Sequence, residues 1–192
     1  MAVEFRDTWL EVFYEQDQSH KKIPSTIESA LFRKIQILDA ATQESDLRIP
    51  PGNRFEHLQG NLSGWHRPRY ISRPACLQGL EEVMVMRNTK RRPVTVGEML
   101  VTEFLEPMNI EISELAEAMG VHRNTLSRIA HDKGTLTAPM AIKLAAALGN
   151  TPEFWLNIQH AVELWDVRHR AYEQEAKNVR RVKPHELPLK QA

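Results

Sequence analysis

Cysteine is nearly absent: Cys76 stands alone among 192 residues, so neither an internal disulfide nor a multi-cysteine zinc site can form. A lone thiol suits a reducing cytoplasm and reads most simply as a small apolar residue. Nothing near Met1 has the look of a signal peptide, and no apolar run approaches the ~20 residues of a membrane span. A surplus charge is missing too. Lys and Arg total 25 and Asp and Glu total 25, so no overall field draws the chain toward polyanions. Any nucleic-acid role must rest on a local patch. Before Met86 there are 10 basic and 12 acidic residues, and from it onward 15 and 13, so the mildly basic part is the rear one. With 42% hydrophobic and 26% charged residues, the composition is that of an ordinary soluble chain of one domain or two small ones.

What is present is a helix pair with a tight joint. Residues Glu111 to His131, E-I-S-E-L-A-E-A-M-G-V-H-R-N-T-L-S-R-I-A-H, place two short amphipathic helices around Met119-Gly120-Val121. Leu115, Ala116 and Met119 form one apolar set, and Val121, Leu126 and Ile129 another across the turn. This spacing lets one helix enter the major groove of DNA while the other braces it. His122 is the expected N-cap of the second helix, with Arg123, Asn124, Thr125, Ser127 and Arg128 between its buried positions. These side chains are the types that donate to guanine, pair with adenine or hold phosphates. Two such helices also occur as plain packing, so the pattern alone leaves both readings open.

The pattern around this pair is helical from Met86 onward. Arg87, Lys90, Arg91 and Arg92 form a basic arm, which either contacts DNA phosphates or a minor groove, or is a solvated flank. A first helix is expected from about Val96 to Glu106, ended by Pro107. A fourth is expected over Ala138 to Leu148, capped by Thr137 and closed by Gly149. The fifth opens at Thr151-Pro152 and carries Trp155, Ile158, Val162 and Trp165 at helical spacing, as core or dimer contacts rather than ligand-stacking aromatics. Glu98, Glu114 and Glu117 fall on polar faces and read as solvated rather than as paired catalytic carboxylates. No metal or cofactor is implied.

The front half reads differently. A helix is expected from Thr8 to Ser19, then a turn at Ile23-Pro24, then a helix from Ser25 to about Ala41 with a Ser25/Glu28 capping box and the stripe Ile27, Leu31, Ile35, Leu38. After Ile49-Pro50-Pro51-Gly52 the alternation in residues 54–58 predicts one short strand. His66 to Pro74 carries prolines and charges and reads as irregular. The stretch beyond about Tyr172 is polar and reads as a loose tail.

The rear blocks Thr95-Val96-Gly97-Glu98-Met99-Leu100, Phe104-Leu105-Glu106-Pro107, Leu115 to Val121 and Pro152-Glu153-Phe154-Trp155-Leu156-Asn157 resemble, in order, the HigA antitoxin group of Cro/cI-type helix-turn-helix proteins. That resemblance implies a five-helix lambda-repressor-like domain, a homodimer, a palindromic double-stranded operator in its own promoter, and a HigB-type toxin as partner. The front blocks Phe5-Arg6-Asp7-Thr8-Trp9-Leu10, Asp46 to Phe55 and Leu58 to Trp65 resemble the N-terminal two-thirds of a HigB toxin, a RelE-like ribosome-dependent mRNA endonuclease. After Trp65 that resemblance stops, where the family would continue into strands bearing the terminal catalytic groups. The expected architecture is mainly α: a truncated α+β RelE-like remnant of two helices and one short strand over residues 1–65, an irregular linker and basic arm over 66–92, the helix-turn-helix domain over 93–170 and a tail over 171–192.

Cleavage of RNA needs preorganised bases and cations around the scissile phosphate. His57, His66, Arg67, Arg69 and Arg73 supply the groups but fall in a proline-broken stretch with no sheet to fix them. Two functions are therefore carried forward. One is a DNA-binding antitoxin and autorepressor, not an enzyme, working at the cytoplasmic nucleoid with an inert toxin remnant. The other is a tethered pair whose front half still cleaves mRNA.

Overall fold

The computed structural model describes residues 5, 7–49, 53, 56–57, 66–67, 88–169 and 177–180. The fold is mainly helical. Helix α1 spans Thr8–Gln16 and buries Leu10, Phe13 and Tyr14; Asp17, at φ 53°, ends it three residues short of the expected Ser19. A 3-10 turn at Ser25–Ile27 leads into α2, Glu28–Ala40. The predicted Ser25/Glu28 capping box does not form. Ser25 lies inside the 3-10 turn, so its backbone carbonyl accepts the Glu28 N–H and its hydroxyl is left out of the first turn of α2. Ile27 stays exposed, while Phe32, Ile35, Ile37 and Leu38 are buried.

Helix α3, Glu44–Arg48, was not legible from periodicity because five residues are too few to show a period. The expectation of a single strand is corrected as well. Strand β1, Glu56–His57, pairs antiparallel with β2, His66–Arg67, in the register Glu56↔Arg67 and His57↔His66. The backbone at 66–67 is thus a strand within the stretch expected to be irregular. Residues 54, 55 and 58–65, the stretch 68–87 with Arg69, Arg73, Cys76 and Arg87, and most of the tail lie outside the described residues.

In the rear half Thr95 caps the first helix by accepting the Glu98 N–H at 3.1 Å. The helical run is continuous through α4 (Val96–Met99), a π-helical segment (Leu100–Leu105) and α5 (Glu106–Met108). Pro107 was expected to end it. It sits instead inside this continuous run, just after the π-helical segment, and the reversal falls at Asn109, φ 53°. Then come α6 (Ile112–Ala118), α7 (Arg123–Ala130), α8 (Ala138–Leu148) and α9 (Pro152–His169). Thr137 holds the N-cap position of α8 without a side-chain cap bond, and Gly149, at φ 86°, closes that helix as expected.

The core crosses the boundary between the two halves. Ile37, Leu38, Ala40, Ala41 and Leu47 from the front share one buried cluster with Met99, Leu100, Phe104, Leu126, Leu144, Trp155 and Ile158 from the rear. The ring centroids of Phe104 and Trp155 are 4.9 Å apart, and those of Phe154 and Trp155 5.1 Å. Each such fully buried side chain contributes about 1.5–3 kcal/mol relative to exposure. A second cluster of Leu10, Phe13, Tyr14, Ile23, Phe32 and Ile35 holds α1 on α2. Because the front helices complete the same core, they also brace the helix-turn-helix.

Candidate nucleic-acid interface

The interface is built on α6 and α7. Leu115, Ala116 and Met119 on the first and Leu126, Ile129 and Ala130 on the second are buried, which fixes which face of α7 turns outward. The joint needs Gly120, whose φ of 60° lies in the left-handed region that other residues adopt only under strain. Val121 N–H closes the turn on the Ala116 carbonyl at 3.0 Å, and Lys143 Nζ, from α8, donates to the Gly120 carbonyl at 3.3 Å.

A second glycine sets the depth of α7. A Cβ on Gly97 would fall 2.6 Å from the Ile129 carbonyl oxygen, 2.7 Å from that of Ala130 and 2.7 Å from Asp132 Oδ1, so only glycine lets α4 approach the end of α7 this closely. The same seam is stitched by Asp132, which accepts the Thr95 hydroxyl at 2.7 Å and the Gly97 N–H at 3.3 Å. Sequence reasoning missed the positioning parts played by Gly97, Asp132 and Lys143. Their only signal would have been a glycine early in a helix, where it costs propensity without an evident local reason.

All six residues singled out for DNA contact stand on one outward surface. His122, Arg123, Asn124, Thr125 and Arg128 are exposed and Ser127 is half-buried. His122 occupies the N-cap, its Nδ1 accepting the Asn124 N–H at 3.2 Å. Ser127 lies against His131, and Arg128 Nη2 donates to the Lys133 carbonyl at 3.3 Å, which holds that guanidinium beside the helix end. Arg123, Asn124 and Thr125 project from the first turn.

The basic arm lies elsewhere. Arg91 pairs with Asp17 and stacks its guanidinium over the rings of Phe13 and Phe32, at 5.5 and 5.0 Å from their centroids. Arg92 makes two hydrogen bonds to Asp166, at 2.8 and 2.9 Å, and this carboxylate raises its pKa above the ordinary value. Lys90 is exposed and fixed through its backbone N–H to the Glu15 carbonyl, while Arg87 lies outside the described residues. The α9 residues divide similarly. Trp155 and Ile158 are core side chains with no exposed surface. Val162 and Trp165 are half-buried, and Trp165 Nε1 donates to the Thr89 carbonyl at 3.0 Å. No group of three or more His, Cys, Asp or Glu side chains with metal-binding geometry occurs among the described residues, nor is any helix there long and apolar enough to cross a membrane.

A polar helix presented outward on a buried helical support, joined to its brace by a left-handed glycine, defines a helix-turn-helix DNA-binding protein. A family model described as helix-turn-helix matches residues 101–156, and one described as the RelE-like toxin of the type II toxin-antitoxin system HigB matches residues 3–71. Antitoxin HigA-1 of Vibrio cholerae is 73% identical over 95 residues, covering 50% of this chain and 89% of that relative. Toxin HigB-1 of the same organism is 74% identical over 65 residues, covering 34% of this chain and 68% of that relative. Among solved structures, Pseudomonas aeruginosa antitoxin HigA with higBA promoter is 29% identical, at a TM-score of 0.44 over 46% of this chain and 97% of that one. The chain belongs to the HigA antitoxin family through its rear half and carries a HigB toxin segment ahead of it, a fusion of the two.

Proposed function

We propose that the chain is a sequence-specific repressor of its own promoter, binding a palindromic operator as a homodimer through the first turn of α7. The observation that carries this reading is the exposed set Arg123, Asn124 and Thr125 on a helix whose apolar residues are buried. Arg123 and Asn124 carry the side-chain groups that make bidentate contacts to guanine and adenine, and the Thr125 and Ser127 hydroxyls and the Arg128 guanidinium suit bases or phosphates further along. The positive end of the helix dipole at the start of α7 favours a phosphate beside it. Arg91 and Arg92, being spent on Asp17 and Asp166, serve the fold, which leaves Lys90 as the described arm residue able to meet DNA. A mobility-shift titration on the chain's own promoter, against an unrelated duplex at several salt concentrations, tests it. Equal affinity for both duplexes would refute sequence-specific binding.

The toxin segment is read as inert. Its match covers 68% of the toxin relative's length, and among the described residues only one pair of two-residue strands stands behind an RNA-cleaving site. The protein is then an antitoxin-type regulator and not a nuclease.

A further inference from the structure

The front helices do not simply sit ahead of the antitoxin unit; they fill a recess on it with matched polar groups. Glu103, its side chain 7% exposed, accepts Arg33 Nε at 3.0 Å and the Lys34 ammonium. Gln36 exchanges two hydrogen bonds with the backbone of Val94, each 2.8 Å. Asp46, with no exposed surface, accepts the backbone N–H and the hydroxyl of Thr151. Asn157 Nδ2 donates to the Ala40 carbonyl at 2.9 Å. Ile37, Leu38 and Leu47 supply apolar contact between these bonds. Every donor, acceptor and apolar group on the front side of this seam lies within the residues that match the HigB-type toxin family, and every one on the rear side lies in the antitoxin half. Such two-sided satisfaction of buried polar groups is the mark of a specific interface, since unmatched ones would cost more than they contribute.

From this seam we infer that the recess formed by Val94, Glu103, Thr151 and Asn157 is a docking surface for a HigB-type toxin, and that in this chain the tethered toxin segment occupies it in cis and shuts a separate toxin out. The inference rests on the antitoxin reading of the rear half. A separate toxin of this family brings a segment like residues 8–49 and competes for the same groups. The connecting residues keep the tethered copy beside its surface, and a competitor of equal intrinsic affinity must exceed the effective concentration set by that connection to displace it. The chain therefore acts on DNA without answering to free toxin.

The test leaves every interface residue unchanged. A protease site inserted between Ser72 and Glu82 allows the purified chain to be cut, which removes the tether and keeps both halves in solution. Tagged Vibrio cholerae HigB-1 is then mixed with intact and with cut chain, and the complexes are separated by gel filtration. Intact chain is expected to retain no toxin. Cut chain is expected to release its front fragment and retain the toxin, a gain of about a hundredfold or more in apparent affinity at micromolar protein. A second variant, Asp46→Ala, loosens the cis seam from its front side and is expected to show a partial gain without cutting. Equal toxin binding by intact and cut chain, or none by either, overturns the proposal. Promoter binding measured on the same samples stands apart: its loss alongside normal toxin exchange refutes the repressor reading, and its survival without exchange refutes only the docking one.

Discussion

Thr151 gives both of its donors to Asp46, its backbone N–H to Oδ1 at 2.7 Å and its hydroxyl to Oδ2 at 2.9 Å, across 105 positions of sequence. The same carboxylate accepts the backbone N–H groups of Thr42 at 2.9 Å and Gln43 at 3.1 Å. One buried side chain thus caps the start of α3, holds the residue ahead of α9 and joins the halves. Asp46→Ala strands these donors away from water. It should lower stability by about 3 kcal/mol, since hydrogen bonds to a buried charge are individually strong and costly to leave unmade. Urea denaturation reads this directly, and an unchanged midpoint would mean that the seam contributes nothing.

Arg123→Ala removes a group expected to reach a base edge while touching no core residue. Operator affinity should fall by about 1–3 kcal/mol, roughly tenfold to a hundredfold, with the denaturation midpoint unchanged. Unaltered affinity in a mobility-shift assay would remove α7 from the role of recognition helix.

His122 caps α7 through Nδ1. Replacing it with Ala should cost about 1 kcal/mol, whereas Ser, which caps well, should restore or exceed the parent stability. Thermal unfolding of the two variants separates capping from any phosphate contact. If Ser is as stable as the parent but binds operator more weakly, the imidazole contacts DNA.

Gly97→Ala places a methyl group against two backbone carbonyls that cannot swing aside. Overpacking of this kind costs about 1–3 kcal/mol, and here it also pushes on the C-terminal end of α7. Both the denaturation midpoint and operator affinity should drop. A variant as tight-binding as the parent would show that α4 does not set the position of α7.

Residues Met1 to Val85, expressed alone in a bacterial host, should not arrest growth. Arrest accompanied by mRNA cleavage would establish the tethered-nuclease reading in place of the inert one.

The rear half was largely legible because its signals are local. The spacing of Leu115, Met119, Leu126 and Ile129, the glycine joint and the Gly149 stop each act within a turn or two, and α8 falls where it was expected. Pro107 misled because a π-helical stretch moved the helix end past it, and no local pattern announces that stretch. The Ser25 cap failed because a 3-10 turn over Ser25–Ile27 comes first and puts Ile27 at the N-cap position of α2. Which residues of α7 face outward was readable from residue type plus periodicity. What fixes its position was not: Gly97 against the carbonyls of Ile129 and Ala130, or Asp132 beneath Thr95, are meetings of residues more than thirty positions apart. The docking of the front helices was likewise invisible, since Lys34 and Asp46 look like ordinary surface charges until Glu103 and Thr151 are found opposite them.

The π-helical stretch Leu100–Leu105 has a consequence for how this chain can vary in length. An extra residue in a helical turn advances everything after it by about 100° around the axis. Here that phase brings Phe104 onto Trp155 while Glu103 meets Arg33 and Lys34. Removing any single residue between Leu100 and Leu105 would leave a good α-helix pointing the wrong way. The widened turn works as a phase setting that binds the antitoxin core and the toxin seam to one another, so neither can drift in register without the other.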